Sequence, residues 1–173
     1  MALKTEQPPR GPIKPPSFAH GVRVLIIESR FYEAIADELV NGALAVLEAA
    51  GVGHSRISVP GALEIPQALA EAVAAGLIPR QASSAQWDGV VALGCVIRGE
   101  TSHYDIVCNN ANHWLMEVAV RNNVPLGNGI LTVETEAQAM ARARGGANGK
   151  GGDAARACLR LIELVRAFEG QSA

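Results

Sequence analysis

Cysteine is scarce in this chain, and nothing in its placement suggests a shared task. Of 173 residues only 3 are cysteine: Cys95, Cys108 and Cys158. No CxxC pair occurs and the number is odd, which argues against a disulfide framework or a zinc site and fits a reducing cytoplasm. The plain reading is of buried or idle thiols. Histidine gives no metal signature: His20, His54, His103 and His113 are scattered, with no HxxxH and no carboxylate cluster joining them. A GxSxG nucleophile elbow is missing. No run reaches the ~18 apolar residues of a membrane span. The first residues carry Lys4 and Arg10 without the apolar centre of a signal peptide. An excess of positive charge is lacking too. The formal net charge of -2 argues against a general nucleic-acid binder with a basic face.

What is present is 49% hydrophobic residues over 173 positions, enough for one domain with a substantial core and too little for two. Residues 1–20 hold Pro8, Pro9, Pro12, Pro15 and Pro16, so this stretch prefers extended conformations. It reads either as a disordered tail or as an arm along a neighbouring subunit. From residue 21 to about 170 a single domain is expected.

Within that domain apolar runs and amphipathic stretches alternate. Strands are predicted at 22–27, 56–59, 89–93 and 129–133, where β-branched and apolar residues cluster. Helices are predicted over 31–50, with Ile35, Leu39, Ala43 and Leu47 at four-residue spacing, and over 64–75, 105–121, 134–144 and 153–168. Residues 76–88 read as a loop. This order implies an α/β three-layer sandwich: a four-stranded parallel, flavodoxin-like sheet flanked by helices. Ligands of such sheets bind beyond the carboxyl ends of the strands, so chemistry is sought after each strand.

The densest candidate is Gly94-Cys-Val-Ile-Arg-Gly-Glu-Thr-Ser-His103. Gly94 and Gly99 let backbone approach a ligand. Backbone N–H groups at the coming helix start, with the Thr101 hydroxyl, suit an anion such as phosphate. His103 has the side chain best suited to proton transfer near neutrality. After the second strand, Gly61 and Ala62 leave room for a flat ligand. Glu64 either accepts hydrogen bonds from that ligand or simply complements a helix N-terminus. Phe31, after the first strand, either stacks on a heterocycle or packs in the core. The run Arg142 to Gly152 is a poor Walker A motif: Arg144 stands where the first glycine belongs, and Gly151 where Ser or Thr would bind magnesium. It reads as a basic, flexible stretch near an anion site or as a solvated glycine linker.

Together these strings resemble the 6,7-dimethyl-8-ribityllumazine synthase family. The match lies in Gly94-Cys-Val-Ile-Arg-Gly-Glu-Thr-Ser-His-Tyr-Asp-Ile-Val107, Arg30-Phe31, Val59-Pro-Gly-Ala-Leu-Glu-Ile-Pro66, Leu131-Thr-Val-Glu with Gln138-Ala139, and Lys150-Gly151. It covers about residues 21–168. The resemblance implies a cytoplasmic enzyme of riboflavin biosynthesis with neither metal nor organic cofactor. It would condense 5-amino-6-(D-ribitylamino)uracil with 3,4-dihydroxy-2-butanone 4-phosphate, releasing phosphate and water. Active sites would lie between subunits of a homo-pentamer, and higher assemblies of pentamers and riboflavin synthase are admitted as partners; membranes and nucleic acids are not. By the same resemblance Phe31 stacks on the pyrimidine, and Ala62, Leu63, Glu64, Cys95, Val96 and Ile97 line the pyrimidine and ribityl site with Asn128 and Lys150. Glu100, Thr101 and Arg142 hold the phosphate, Arg142 coming from a neighbouring subunit, and His103 moves protons.

Three departures bear on the site. Tyr32 stands where the family usually has Asn, Leu63 where an aromatic is common, and Asn128 where Phe is usual. They imply weaker pyrimidine binding, and they admit a non-catalytic paralogue that binds a lumazine or flavin. A non-enzymatic flavin- or nucleotide-binding module and a purely structural shell protein are the other classes the fold permits. The residues Gly145 to Gly152 also depart from the family's usual turn, which favours a free pentamer over a sixty-subunit capsid.

Overall fold

A computed structural model of the chain describes residues 16, 18, 21–79, 81, 82 and 84–170. The proline-rich arm, Pro16 and Phe18 aside, lies outside the described residues. The elements run β1 (Arg23–Ser29), α1 (Glu33–Ala49), β2 (Gly53–Val59), α2 (Glu64–Ala74), β3 (Gly89–Ile97), α3 (His103–Arg121), β4 (Leu126–Val133), α4 (Glu136–Ala143) and α5 (Lys150–Phe168), with a 3-10 turn at Gly146–Asn148 before α5.

The strands form one parallel sheet in the order β2-β1-β3-β4. β1 and β3 are central, paired from Val24↔Gly89 to Glu28↔Leu93. Both faces of each are covered, which is why they read as continuous apolar runs. Val24, Ile26, Val91 and Leu93 join Leu39, Leu47, Leu159 and Ile162 in one core layer. Leu25, Ile27, Val90 and Ala92 join Ile65, Leu69 and Leu115 in the other. Alternate residues of one strand thus feed opposite layers. The three-layer α/β sandwich expected from the sequence is what forms.

Element ends differ from expectation where the sequence signal is weak. β2 begins at Gly53 rather than at residue 56, because it is an edge strand whose exposed, polar residues lack apolar alternation. β4 begins at Leu126 rather than at Gly129, taking in Gly127 and Asn128 ahead of the expected start. Glycine is needed at 127: a Cβ there would stand 1.9 Å from the Ala154 carbonyl oxygen of α5. α1 starts at Glu33, leaving Phe31 in the preceding turn. α4 starts at Glu136 because the Thr135 hydroxyl accepts from the Gln138 N–H at 3.2 Å while Gln138 reaches back to the Glu134 N–H at 3.0 Å.

The largest correction concerns the run Arg142 to Gly152, whose first two residues end α4. It is neither a flexible stretch nor a solvated linker. Lys150, Gly151 and Gly152 form the first turn of α5, and both of these glycines are buried. A Cβ at Gly151 would sit 1.8 Å from the Leu39 carbonyl oxygen of α1, and one at Gly152 would sit 2.0 Å from that of Ala147. The glycines let two backbones touch, which a mobile linker would not require.

Gly151→Ala therefore drives a methyl group into a main-chain carbonyl and should lower stability by about 3 kcal/mol. Gly21→Ala, whose Cβ meets nothing within 4 Å, should stay within about 0.5 kcal/mol of the parent. Thermal unfolding of the two variants side by side reads the difference.

Candidate active site

The strand order places a switch point between β1 and β3: the chain leaves β1 for β2 on one side, then crosses to β3 on the other. Loops diverge there and leave a crevice at the carboxyl ends. A cavity of about 330 Å³ opens at this point. It is lined by Phe31 and Tyr32 after β1, by Gly61, Ala62, Leu63 and Glu64 after β2, by Cys95, Val96 and Ile97 closing β3, and by Gly99, Thr101, His103, Tyr104 and Val107 beyond it.

The residues expected at 31, 62–64, 95–97, 101 and 103 are thus brought together by three separate segments, those at the carboxyl ends of β1, β2 and β3. Glu100 is exposed in the same turn but does not line the cavity. Asn128, Arg142 and Lys150 are not in it. They line a second depression of about 450 Å³ along the free edge of β4, together with Gly129 to Thr132 and Asp153. Within one chain the two depressions share no residue.

Reasoning from sequence missed Tyr104 and Val107 as lining residues. Their spacing from His103 carried the signal, since positions one, three and four apart on a helix can border one opening. Phe31 is 70% exposed, which excludes the core-packing alternative, and its ring meets that of Tyr32 edge-on at 5.0 Å. Gly61 lies close to the Glu64 carboxylate: a Cβ there would come within 2.9 Å of Glu64 Oε2, the movable end of that side chain. His103 is the first residue of α3, and its N–H donates to Thr101 Oγ1 at 3.3 Å. The turn before α3 therefore closes on itself and leaves other N–H groups of the helix start for a ligand.

Two charged clusters pin the loops around the cavity. Glu28, fully buried near the end of β1, accepts from Arg56 Nε, from Ser58 Oγ at 3.0 Å and from Arg30 at 3.3 Å. Arg30 also reaches Asp37 at 2.8 Å, and these contacts raise its pKa further, the Asp37 hydrogen bond first. A buried carboxylate needs such partners, and the arrangement ties the residue before Phe31 to both β2 and α1. Beyond β3, Arg98 grips Asp105 with both terminal nitrogens at 3.1 and 3.2 Å, meets Glu134 at 2.9 Å and lies 4.1 Å above the Tyr104 ring. Its pKa is raised by the hydrogen bonds to Asp105 and then Glu134. This guanidinium is committed to holding the turn, not to an anion.

The second depression is basic at its rim. Lys150 opens α5, where the helix dipole disfavours a cation. Asp153, one turn on, offsets this by pairing with Lys150 at 3.1 Å and Arg156 at 2.9 Å. Arg142 is exposed and spends one N–H on the Gln138 carbonyl at 3.0 Å. Its remaining donors are available to an anion. Among the described residues no three His, Cys, Asp or Glu side chains gather as metal ligands.

Comparison with known proteins bears on this arrangement. The model of the family described as 6,7-dimethyl-8-ribityllumazine synthase matches residues 21–166. A 6,7-dimethyl-8-ribityllumazine synthase of Nitrobacter hamburgensis is 50% identical over 157 residues, 91% of this chain and 94% of its own. One from Methylobacterium radiotolerans is 54% identical over 150 residues, 87% of this chain and 86% of its own. One from Azorhizobium caulinodans is 56% identical over 146 residues, 84% of this chain and 88% of its own.

Burial, and then the nearby Cys108, push the Cys95 thiol up to about 11. It stays protonated near neutrality and is a wall of the cavity rather than a nucleophile. Alkylation followed by peptide mass spectrometry should show Cys95 modified only slowly at pH 8. The rate should still climb as pH rises past 9, where an ordinary thiol has levelled off.

Proposed function

The chain belongs to the 6,7-dimethyl-8-ribityllumazine synthase family and is a transferase of riboflavin biosynthesis; from that membership we propose that it condenses 5-amino-6-(D-ribitylamino)uracil with 3,4-dihydroxy-2-butanone 4-phosphate, releasing phosphate and water. The observation that carries this reading is the division of the expected residues between two depressions, one at the sheet's switch point and one on the β4 edge. A site built where one copy's β4 edge meets the next copy's cavity uses both halves. Repeated head to tail, that contact closes a ring, here a pentamer. The exposed apolar side chains Ile106, Trp114, Met116 and Val120 on α3 support contact between copies, since a lone chain would leave them in water.

In this reading Phe31 stacks on the pyrimidine, with Ala62, Leu63, Cys95, Val96 and Ile97 as apolar walls. Glu64 takes hydrogen bonds from ribityl hydroxyls. Asn128 and Lys150 approach the ring from the neighbouring copy. The keto-phosphate lies with its anion against the start of α3, where Glu100 and Thr101 offer backbone and hydroxyl donors, and against the neighbour's Arg142. A planar guanidinium suits a phosphate because two parallel N–H groups meet two oxygens. The primary amine attacks the ketone and a first water leaves as the imine forms, elimination expels phosphate, and closure of the ring by the ribitylamino nitrogen on the remaining carbonyl releases a second water. His103, beside the phosphate turn, carries protons in these steps. Much of the acceleration comes from holding two reactants in attack geometry, which removes the entropic cost of their meeting.

The test mixes the protein with both substrates and follows lumazine fluorescence and phosphate release. His103→Ala should slow kcat about a hundredfold while leaving measurable turnover. Arg142→Ala should raise KM for the keto-phosphate about tenfold to a hundredfold, the loss of charged hydrogen bonds to an anion. Binding of the pyrimidine with no product from the unaltered protein would instead mark a non-catalytic member. Unchanged kinetics in both variants would place the chemistry elsewhere.

A further inference from the structure

β4 is an edge strand, so backbone groups along its free side receive no partner from the sheet. One of them, the Ile130 N–H, is met by Asn128 Oδ1 at 3.0 Å. Asn128 Nδ2 in turn donates to Asn112 Oδ1 on α3 at 2.7 Å. Asn112 Nδ2 donates to the Cys108 carbonyl, one helical turn back, at 2.9 Å. This row of two amides ends on a backbone N–H at one side and a backbone carbonyl at the other. The first can only donate and the second can only accept. Both side chains are therefore locked in one orientation, and turning either amide over would set donor against donor or acceptor against acceptor.

The locked amide is at the surface. Asn128 is exposed and lines the β4-edge depression with Lys150 and Arg142. One Nδ2 proton of Asn128 is left over from the row, and a fixed amide N–H is a reader of carbonyl oxygens. Arg142 supplies the charge an anion needs, so the neutral amide suits the uncharged ring instead.

We propose that Asn112 is a positioning residue for substrate specificity: it holds the Asn128 amide so that its spare N–H reads a ring carbonyl of the pyrimidine in the neighbouring copy's cavity. This rests on the reading of the site given above. A purely structural role exists beside it, because the same row blunts the β4 edge and ties it to α3. That role alone would move thermal stability and the KM of both substrates together.

Steady-state kinetics separates the two. Asn112→Leu keeps about the same volume without an acceptor, Asn112→Asp keeps the acceptor, and Asn128→Ala removes the reader. The assembled protein and these three variants are assayed with each substrate varied in turn. Asn112→Leu and Asn128→Ala should raise KM for the pyrimidine about three- to tenfold, with kcat and KM for the keto-phosphate within about twofold, as loss of one neutral hydrogen bond predicts. Asn112→Asp, which keeps the acceptor for Asn128 but sets an oxygen against the Cys108 carbonyl, should bring the pyrimidine KM below that of Asn112→Leu without fully reaching the parent value. An unchanged pyrimidine KM in both of the first two variants would overturn the inference, as would an equal rise for both substrates. A pyrimidine KM in Asn112→Asp no lower than in Asn112→Leu would also overturn it. No product from the unaltered protein would overturn the functional reading and this inference with it.

Discussion

The parallel pairing of β1 with β3 is the constraint on which the rest of this molecule depends. Ten residues are matched in five pairs, from Val24↔Gly89 to Glu28↔Leu93. Neither strand has a free edge or an uncovered face, so neither can shift by one residue without exchanging the two core layers. That register puts the segments after residues 29 and 97 side by side. Because β2 lies outside β1 and β4 outside β3, the connections diverge from this seam and a cavity is left where they part. The chemistry is lodged where the fold leaves room, not where it is packed.

The loops around such a cavity would be mobile if nothing held them. Here charge does the holding. Glu28 is costly to bury alone, yet with Arg30, Arg56 and Ser58 around it it anchors the approach to Phe31. Arg98 does the same for the turn carrying Thr101 and His103, bridging α3 and the segment after β4 through Asp105 and Glu134. A third restraint is steric. The bare backbone of Gly151 and Gly152 allows α5 to start against α1 and the 3-10 turn, which fixes Lys150 at the rim of the second depression. Each device restrains a residue of the proposed site through a neighbour that is not expected to touch substrate.

How much of this was legible in the sequence follows from the same physics. Buried strands announce themselves by apolar runs, so β1 and the start of β3 could be read directly, as could α1 from its four-residue spacing. Edge strands could be read only in part: residues 56–59 and 129–133 stood out, but the start of β2 is polar and exposed, and β4 extends back through Gly127 because α5 crosses it closely, a reason invisible without the partner helix. The glycines at 151 and 152 misled in the same way, reading as a linker when they are a contact. In the site, the string from Gly94 to His103 was dense enough to stand out, and the resemblance it carries agrees with the family match over residues 21–166. Arg98 and Asn112 gave no such signal. Their parts depend on partners far along the chain, Glu134 for one and Asn128 for the other.

The central claim is that one copy's cavity is completed by another copy's β4 edge. Intersubunit complementation tests it most directly. Chains carrying His103→Ala and chains carrying Arg142→Ala are each assembled alone, and then co-assembled in equal amounts from separated subunits. In a head-to-tail ring about a quarter of the seams then pair an intact His103 with an intact Arg142. With keto-phosphate held well below the KM of the unaltered protein, where both parents are slow, turnover in the mixture should rise well above either, towards about a quarter of that of the unaltered protein. Turnover no higher than the average of the two parents, in particles shown by mass spectrometry to contain both chains, would contradict the account.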